Sequence, residues 1–237
     1  MTGESLRDRL VQSLEAAQTQ EAELLALCDD SPPHEAGRWT AKDNIAHLNA
    51  WREHAVRALD AARLEVPYEG PSTDSDLDAR NAEIYEVHRE DSAAAVSAAA
   101  AASYAALIEA VRACSDADLR RERPGNSGPV WLVVPGNGHG HVAQHLSYWA
   151  VEHGDPSGAE ESAKWSYALD SDLFPENQPV ADYNFACFYG RHGNADDALP
   201  LLRAALRARP GLRAYALEDA DIDPIRDDPR VASLLGP

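Results

Sequence analysis

Basic residues are scarce in this 237-residue chain: 21 Lys and Arg stand against 40 Asp and Glu, for a formal net charge of -19. Such a balance repels a phosphate backbone or an anionic bilayer, so neither nucleic acid nor a membrane surface is an expected partner. Cysteine is equally sparse. Cys28, Cys114 and Cys187 are isolated and odd in number, without CxxC spacing, which fits reduced, buried thiols rather than a disulfide framework. No run of about 18 apolar residues marks a membrane span, and the start MTGESLRDRLV has neither the basic end nor the apolar stretch of a secretory signal. A cytoplasmic protein is expected. The glycines of GNGHG suggest a phosphate-cradling loop, but no GxGxxG or GxxxxGKS/T motif following a strand occurs, which removes that reading.

What the chain does have is helical periodicity. Leu6, Leu10, Leu14, Ala17, Leu24 and Cys28 recur at steps of three and four through residues 5–28, the pattern of an amphipathic helix. After SPPHEAGRW, Thr40 can cap a second helix with Asp43 in its first turn, running through Ile45, Leu48, Ala55 and Leu59. The loop VPYEGPSTDSD leads to a long helical region from about Leu77 to Ala113, notched near Asp91 and Ser92. Its run AAAVSAAAAASYAAL reads as a closely packed third helix, because alanine is the best helix former. The mixed loop RPGNSGPVWLVVPGN follows, with VVPGN as a brief extended piece. From Gly138 the periodicity returns through Val142, His145, Leu146 and Trp149, until Gly154, Asp155 and Pro156 end it. The expected fold is all-α: an antiparallel four-helix bundle over residues 1–155, with a small helical hairpin in 156–237.

In that second segment, YNFACFYGRHGNADDALPLLRAALRARP alternates small Ala186, Ala198 and Ala205 with bulkier Phe185, Tyr189 and Leu202, with Gly193 at the turn. It resembles one tetratricopeptide repeat (TPR). A single repeat cannot bury its own face, so the TPR-like tail is expected to lean on neighbouring helices, on a protein partner or on a second copy in a homodimer.

His141 and His145 stand four apart where GNGHGHVAQHLSYW becomes helical, so two imidazoles project from one face, one turn apart. The pair alone is compatible with ordinary core or surface histidines. His47, between Ile45 and Leu48 and one turn before Trp51, points at least partly inward on the second helix. His139 lies at i, i+2 from the pair, on another side or in the preceding loop. Trp51 and Trp149, each one turn from a candidate ligand, fit either core or pocket wall. Asn81 and Tyr85 can supply a polar pocket contact, and His54 stands near a pocket mouth or in solvent.

The spacing of Trp39, Lys42, Asp43, His47, Leu48 and Trp51, followed much later by Asn137, His141 and His145, resembles the DinB-like superfamily of four-helix bundles. WTAKDNIAHLNAW, NAEIYEVHRED and VVPGNGHGHVAQH are most similar to its ClbS/DfsB-like branch. The similarity spans about residues 5–155, and the loop from Tyr68 to Asp76 lacks that branch's expected tryptophan. The resemblance implies that His47, His141 and His145 hold a divalent metal ion, zinc or nickel, with a fourth position open to water or a small-molecule substrate. It implies hydrolysis or thiol transfer on an electrophilic small molecule, in detoxification or self-resistance. A metal-free hydrolase or binder of a reactive metabolite, and a non-enzymatic interaction module acting through the tail, are the alternatives.

Overall fold

The computed structural model describes residues 4–31, 38–68, 70, 74–123 and 128–236. Parts of the three loops expected from SPPHEAGRW, VPYEGPSTDSD and RPGNSGPVWLVVPGN lie outside the described residues. The chain divides into two compact units, Met1–Asp155 and Pro156–Pro237.

In the first unit, α1 (Leu6–Leu25) starts where the Ser5 hydroxyl accepts the Asp8 N–H, and it buries Leu6, Leu10, Leu14, Ala17 and Leu24. Helix α2 (Ala41–Leu64) opens with a complete capping box, Thr40 taking the Asp43 N–H while the Asp43 carboxylate takes the Thr40 N–H at 2.8 Å. Its first half is buried almost all round, from Asn44 through Arg52, which makes it the central helix. The helical region expected from about Leu77 to Ala113 is broken at its notch near Asp91 and Ser92 into α3 (Asp74–His88) and α4 (Ala93–Ala113), with Ser92 capping α4. A short α5 (Asp116–Leu119) and a 3-10 turn (Val130–Leu132) lead to α6 (Val133–Asn137) and α7 (His139–Glu152).

VVPGN is thus helical, not extended. Val133, Val134 and Pro135 bury their side chains, and that packing overrides the strand preference of paired valines. At the α6–α7 junction a Cβ on Gly138 would lie 2.7 Å from the Val134 carbonyl oxygen and 3.0 Å from Leu14 Cδ2. Only glycine lets the backbone come so near α1, and that approach sets where the first turn of α7 begins.

Contacts along the helices fix their directions. Asn49 reaches the Val96 carbonyl, Arg52 the Ser103 hydroxyl, and Leu59 lies opposite Cys114; the numbers rise together, so α2 and α4 run parallel. Asn44 meets His145 while His47 meets His141, so α7 runs antiparallel to α2. Glu21 meets Tyr104 while Asp30 meets Ala93, so α1 runs antiparallel to α4. The all-α bundle is up-down-down-up rather than antiparallel throughout. The reason is the segment from 65 to 92, which returns the chain to the starting end before α4 begins; a long crossover of this kind lets successive bundle helices run parallel.

Among the described helices, α4 is long and apolar enough by length and composition to cross a membrane, contrary to the expectation that no such window exists. Its apolarity comes from alanine, and the face it turns inward carries Ser103 and Tyr104. These join a buried polar knot. The Arg52 guanidinium, fully buried, donates to both Glu21 carboxylate oxygens (2.7 and 3.1 Å), to Asn49 Oδ1 (2.6 Å) and to Ser103 Oγ (2.9 Å). Tyr104 donates its hydroxyl to Glu21 and lies under the guanidinium, 4.0 Å from ring centroid to Cζ. A buried charge pair is tolerated when its remaining hydrogen-bonding positions are filled, as they are here.

The second unit is a helical array: α8 (Pro156–Leu173), α9 (Gln178–Arg191), α10 (Ala195–Ala208), α11 (Leu212–Glu218), α12 (Asp223–Arg226) and α13 (Pro229–Leu235). Helices α9 and α10 form its most closely associated pair, with Ala186, Ala198 and Ala205 fully buried and the reversal at Gly193, φ +70°.

Candidate metal centre

The first turn of α2 organises the site. Trp39 precedes the cap, Thr40 is the cap, Asn44 lies one turn in, and His47 one turn further, all on the side facing α7 and α3. His47 Nε2 lies 3.2 Å from His141 Nε2, and His141 Nε2 lies 3.1 Å from His145 Nε2. One ligand atom from each ring lies within 4.8 Å of the others, and His47 and His145 are buried. Three imidazole nitrogens around a tetrahedral ion with bonds of about 2.0–2.1 Å are separated by roughly 3.3 Å, so the observed spacings fit that donor set.

The tautomer of His145 is fixed by its neighbours. Its Nδ1 is 2.7 Å from Asn44 Oδ1, and Asn44 Nδ2 donates to the Thr40 carbonyl at 2.9 Å. Because the Thr40 carbonyl can only accept, the amide nitrogen must face it and the amide oxygen must face His145. That oxygen also only accepts, so Nδ1 of His145 carries the proton and Nε2 presents its lone pair to the centre. The outer nitrogens of His47 and His141 have no hydrogen-bond partner among the described residues; their rings are held by packing. Trp39 lies 4.9 Å from His47 and, nearly parallel, 6.0 Å from His145, while Trp51 meets His47 and His141, each at 6.2 Å between centroids.

Burial holds all three rings neutral. It lowers His47 to about 4, and with the neighbouring His47 it lowers His145 to about 3. His141 is pushed well below its ordinary 6.5 by burial first, then by His145, His47 and Arg52. No carboxylate among the described residues figures in these shifts. At neutral pH the rings offer lone pairs, the form a divalent ion requires.

The other residues expected at the site separate into groups. Trp51 is buried and donates its indole N–H to Asn81 Oδ1 at 3.1 Å. Tyr85 stacks on Trp39 at 6.1 Å, and the two share a narrow cleft between α2 and α3 with Asp43, His47, Ile84 and His88. Trp149 instead stacks on His153, at 4.0 Å, and contributes no ring to the triad. His139 is fully buried at the start of α7 and lies outside the three-histidine group. His54 takes a place beyond Trp51, 5.1 Å from the indole. Asn44 and Trp39 were not read as site residues from the sequence; the clue was their position three before and eight before His47, on one helical face.

Replacing Asn44 by alanine is expected to weaken zinc binding by about 10–100-fold, the usual cost of removing such a ligand-orienting partner. Aspartate should not restore it, because a carboxylate oxygen would then face the Thr40 carbonyl at 2.9 Å. Competition against a chromogenic chelator measures this, and unchanged affinity in both variants would contradict the orienting role.

Comparison with curated proteins and with solved structures finds no match. A family model described as the DinB superfamily matches residues 4–148, a span that includes all three histidines. That span is more than half of the chain, and the protein belongs to the DinB superfamily.

Proposed function

We propose that the first unit is a metal-dependent enzyme acting on an electrophilic small molecule by hydrolysis or thiol transfer, in the manner of the ClbS/DfsB-like branch it resembles. The observation that carries this reading is the convergence of three histidines, with His141 Nε2 at 3.2 and 3.1 Å from the Nε2 atoms of His47 and His145 and the His145 tautomer locked by Asn44. A zinc or nickel ion held there would lower the pKa of bound water toward about 7 or favour a thiolate over a thiol.

The remaining roles fall to the chain. Asn44 keeps the His145 lone pair aimed inward, Trp39 and Trp51 exclude water from the flanks, and Tyr85 faces the cleft. Thiol transfer is one of the two reactions this reading allows. A pre-formed thiolate needs no general base. Its sulfur attacks the electrophilic carbon, the bond to the leaving group or strained ring breaks, and that electron pair takes a proton from solvent.

Purified protein should carry about one zinc or nickel per chain by mass spectrometric metal analysis. Consumption of a chromogenic electrophile in the presence of a small thiol should stop in chelator and return when the metal is restored. Full turnover in chelator would instead support a metal-free hydrolase. The second unit is read as a TPR-like hairpin on its small-residue packing, and it is the proposed contact for a protein partner or a second copy. The scarcity of basic residues argues against nucleic acid or membrane partners.

A further inference from the structure

Helix α3 covers the His47 side of the triad, and little holds it there. Among its described side chains only Ile84 is buried, in a cluster with Ala50 and Trp51 of α2. Its other large apolar groups, Leu77 and Val87, are exposed. Ion pairs along its outer face, such as Arg80 with Glu83 at 2.7 Å, lie within the helix and add nothing to its docking. Two further contacts close it onto the bundle: Asn81 Oδ1 accepts the Trp51 indole N–H at 3.1 Å, and Tyr85 stacks on Trp39 at 6.1 Å. Asn81 and Tyr85 are both half-buried, so water reaches these contacts when the helix lifts.

The end of α3 that leads into α4 is anchored differently. Lys42, in the first turn of α2, donates its ammonium to the Arg89 and Asp91 carbonyls at 3.2 and 2.7 Å. The Asp91 carboxylate faces His88 Nδ1 at 2.8 Å, and the Asp30 carboxylate accepts the Ala93 N–H at 2.7 Å. Residues 89–92 are thus fixed to α2 and to the segment after α1, whereas the body of α3 rests on one isoleucine, one hydrogen bond and one ring stack. At 1.5 Å per residue, its 15 residues make a lever of roughly 22 Å.

Beneath the lever lies the cleft between α2 and α3. Trp39, His47, Ile84, Tyr85 and His88 are among its walls, and it is too narrow for a water molecule as it stands. Lifting α3 about residues 89–92 parts Tyr85 from Trp39 and Ile84 from Trp51, and both partings widen this cleft beside the His47 ring. Segments with few buried apolar contacts are the ones that open locally. By that measure α3 stands apart from α4, which buries Val96, Tyr104, Leu107 and Val111.

We propose that α3 is a hinged lid, pivoting about residues 89–92, whose opening exposes His47 and admits a substrate to the triad through the cleft lined by Trp39 and Tyr85. That a substrate uses this opening rests on the reading of the triad as a reaction centre; the opening itself does not.

The test uses the full-length chain kept in chelator, so that it is independent of whether the triad holds a metal. Amide hydrogen exchange, read by mass spectrometry, should find α3 protected only on the order of 10²–10³-fold, the scale set by one buried isoleucine and one ring stack, and α4 at least a hundredfold more. In parallel, diethyl pyrocarbonate labels exposed imidazoles, and its rate at His47 reports the cleft. Ile84→Ala should speed exchange throughout α3 by about tenfold or more and raise His47 labelling by the same factor, with exchange in α4 and α7 unchanged. If Ile84→Ala loosens α4 as well, Asn81→Ala, which removes only the acceptor of the Trp51 N–H, should give a smaller rise of equal size in both readings. Protection of α3 equal to that of α4, or His47 labelling that stays constant while α3 exchange accelerates, overturns the lid.

Discussion

Protein carrying His145→Ala should be purified with less than about a tenth of the metal found in the parent chain, whereas His139→Ala should retain it. Both rings are buried, and they lie six residues apart on one helix, so the pair separates loss of a ligand from loss of packing. His145 is the candidate ligand whose donor nitrogen is predetermined, through Asn44 and the Thr40 carbonyl. Its removal leaves two donors, and it leaves Asn44 Oδ1 buried without its N–H. The first effect abolishes retention, because a structural or catalytic zinc site needs at least three protein ligands. The second costs about 1–3 kcal/mol of folding stability, small enough for the bundle to persist. Equal metal loss in both variants, with the fold intact by circular dichroism, would show that the triad is not the ligand set.

The largest expected loss of stability is at Glu21→Ala. Arg52 is fully buried and Glu21 is 2% exposed, so removing the acid strands a guanidinium that cannot reach water. Breaking such a pair costs about 3–5 kcal/mol, and the Tyr104 hydroxyl loses its acceptor as well. At about 2–4 °C per kcal/mol for a unit of this size, the melting transition of the bundle should fall by roughly 10 °C or more. A compensated double variant, Glu21→Leu with Arg52→Met, should recover much of this, since no charge is left unpaired. Thermal melts of the two single variants and the double variant give the coupling directly. A Glu21→Ala melt within about 2 °C of the parent would mean that water or another acid reaches Arg52, contrary to its burial.

What could be read ahead of the structure was whatever is local. The helical steps in α1, the Thr40 cap, and the i, i+4 spacing of His141 and His145 are consequences of neighbouring residues, and the family resemblance tied His47 to the pair. What needed coordinates depends on distant segments. Nothing in the alanine run reveals that α4 lies parallel to α2, because direction is set by where the 65–92 segment delivers the chain. VVPGN has the composition of an extended piece, yet it packs as a helix on the bundle. Asn44 is a polar residue near a helix start, and its meaning exists only once α7 brings His145 within 2.7 Å.

The capping box of α2 has a kinetic consequence. Helix ends open more readily than helix centres, and here the end in question carries the carbonyl that orients Asn44. Each fraying event at Thr40 releases the His145 ring from its fixed tautomer and loosens the Trp39 cover at once. Exchange of an ion held by the three histidines should therefore be paced by the lifetime of that one turn, so that Thr40→Ala hastens ion release while leaving the donor set unchanged.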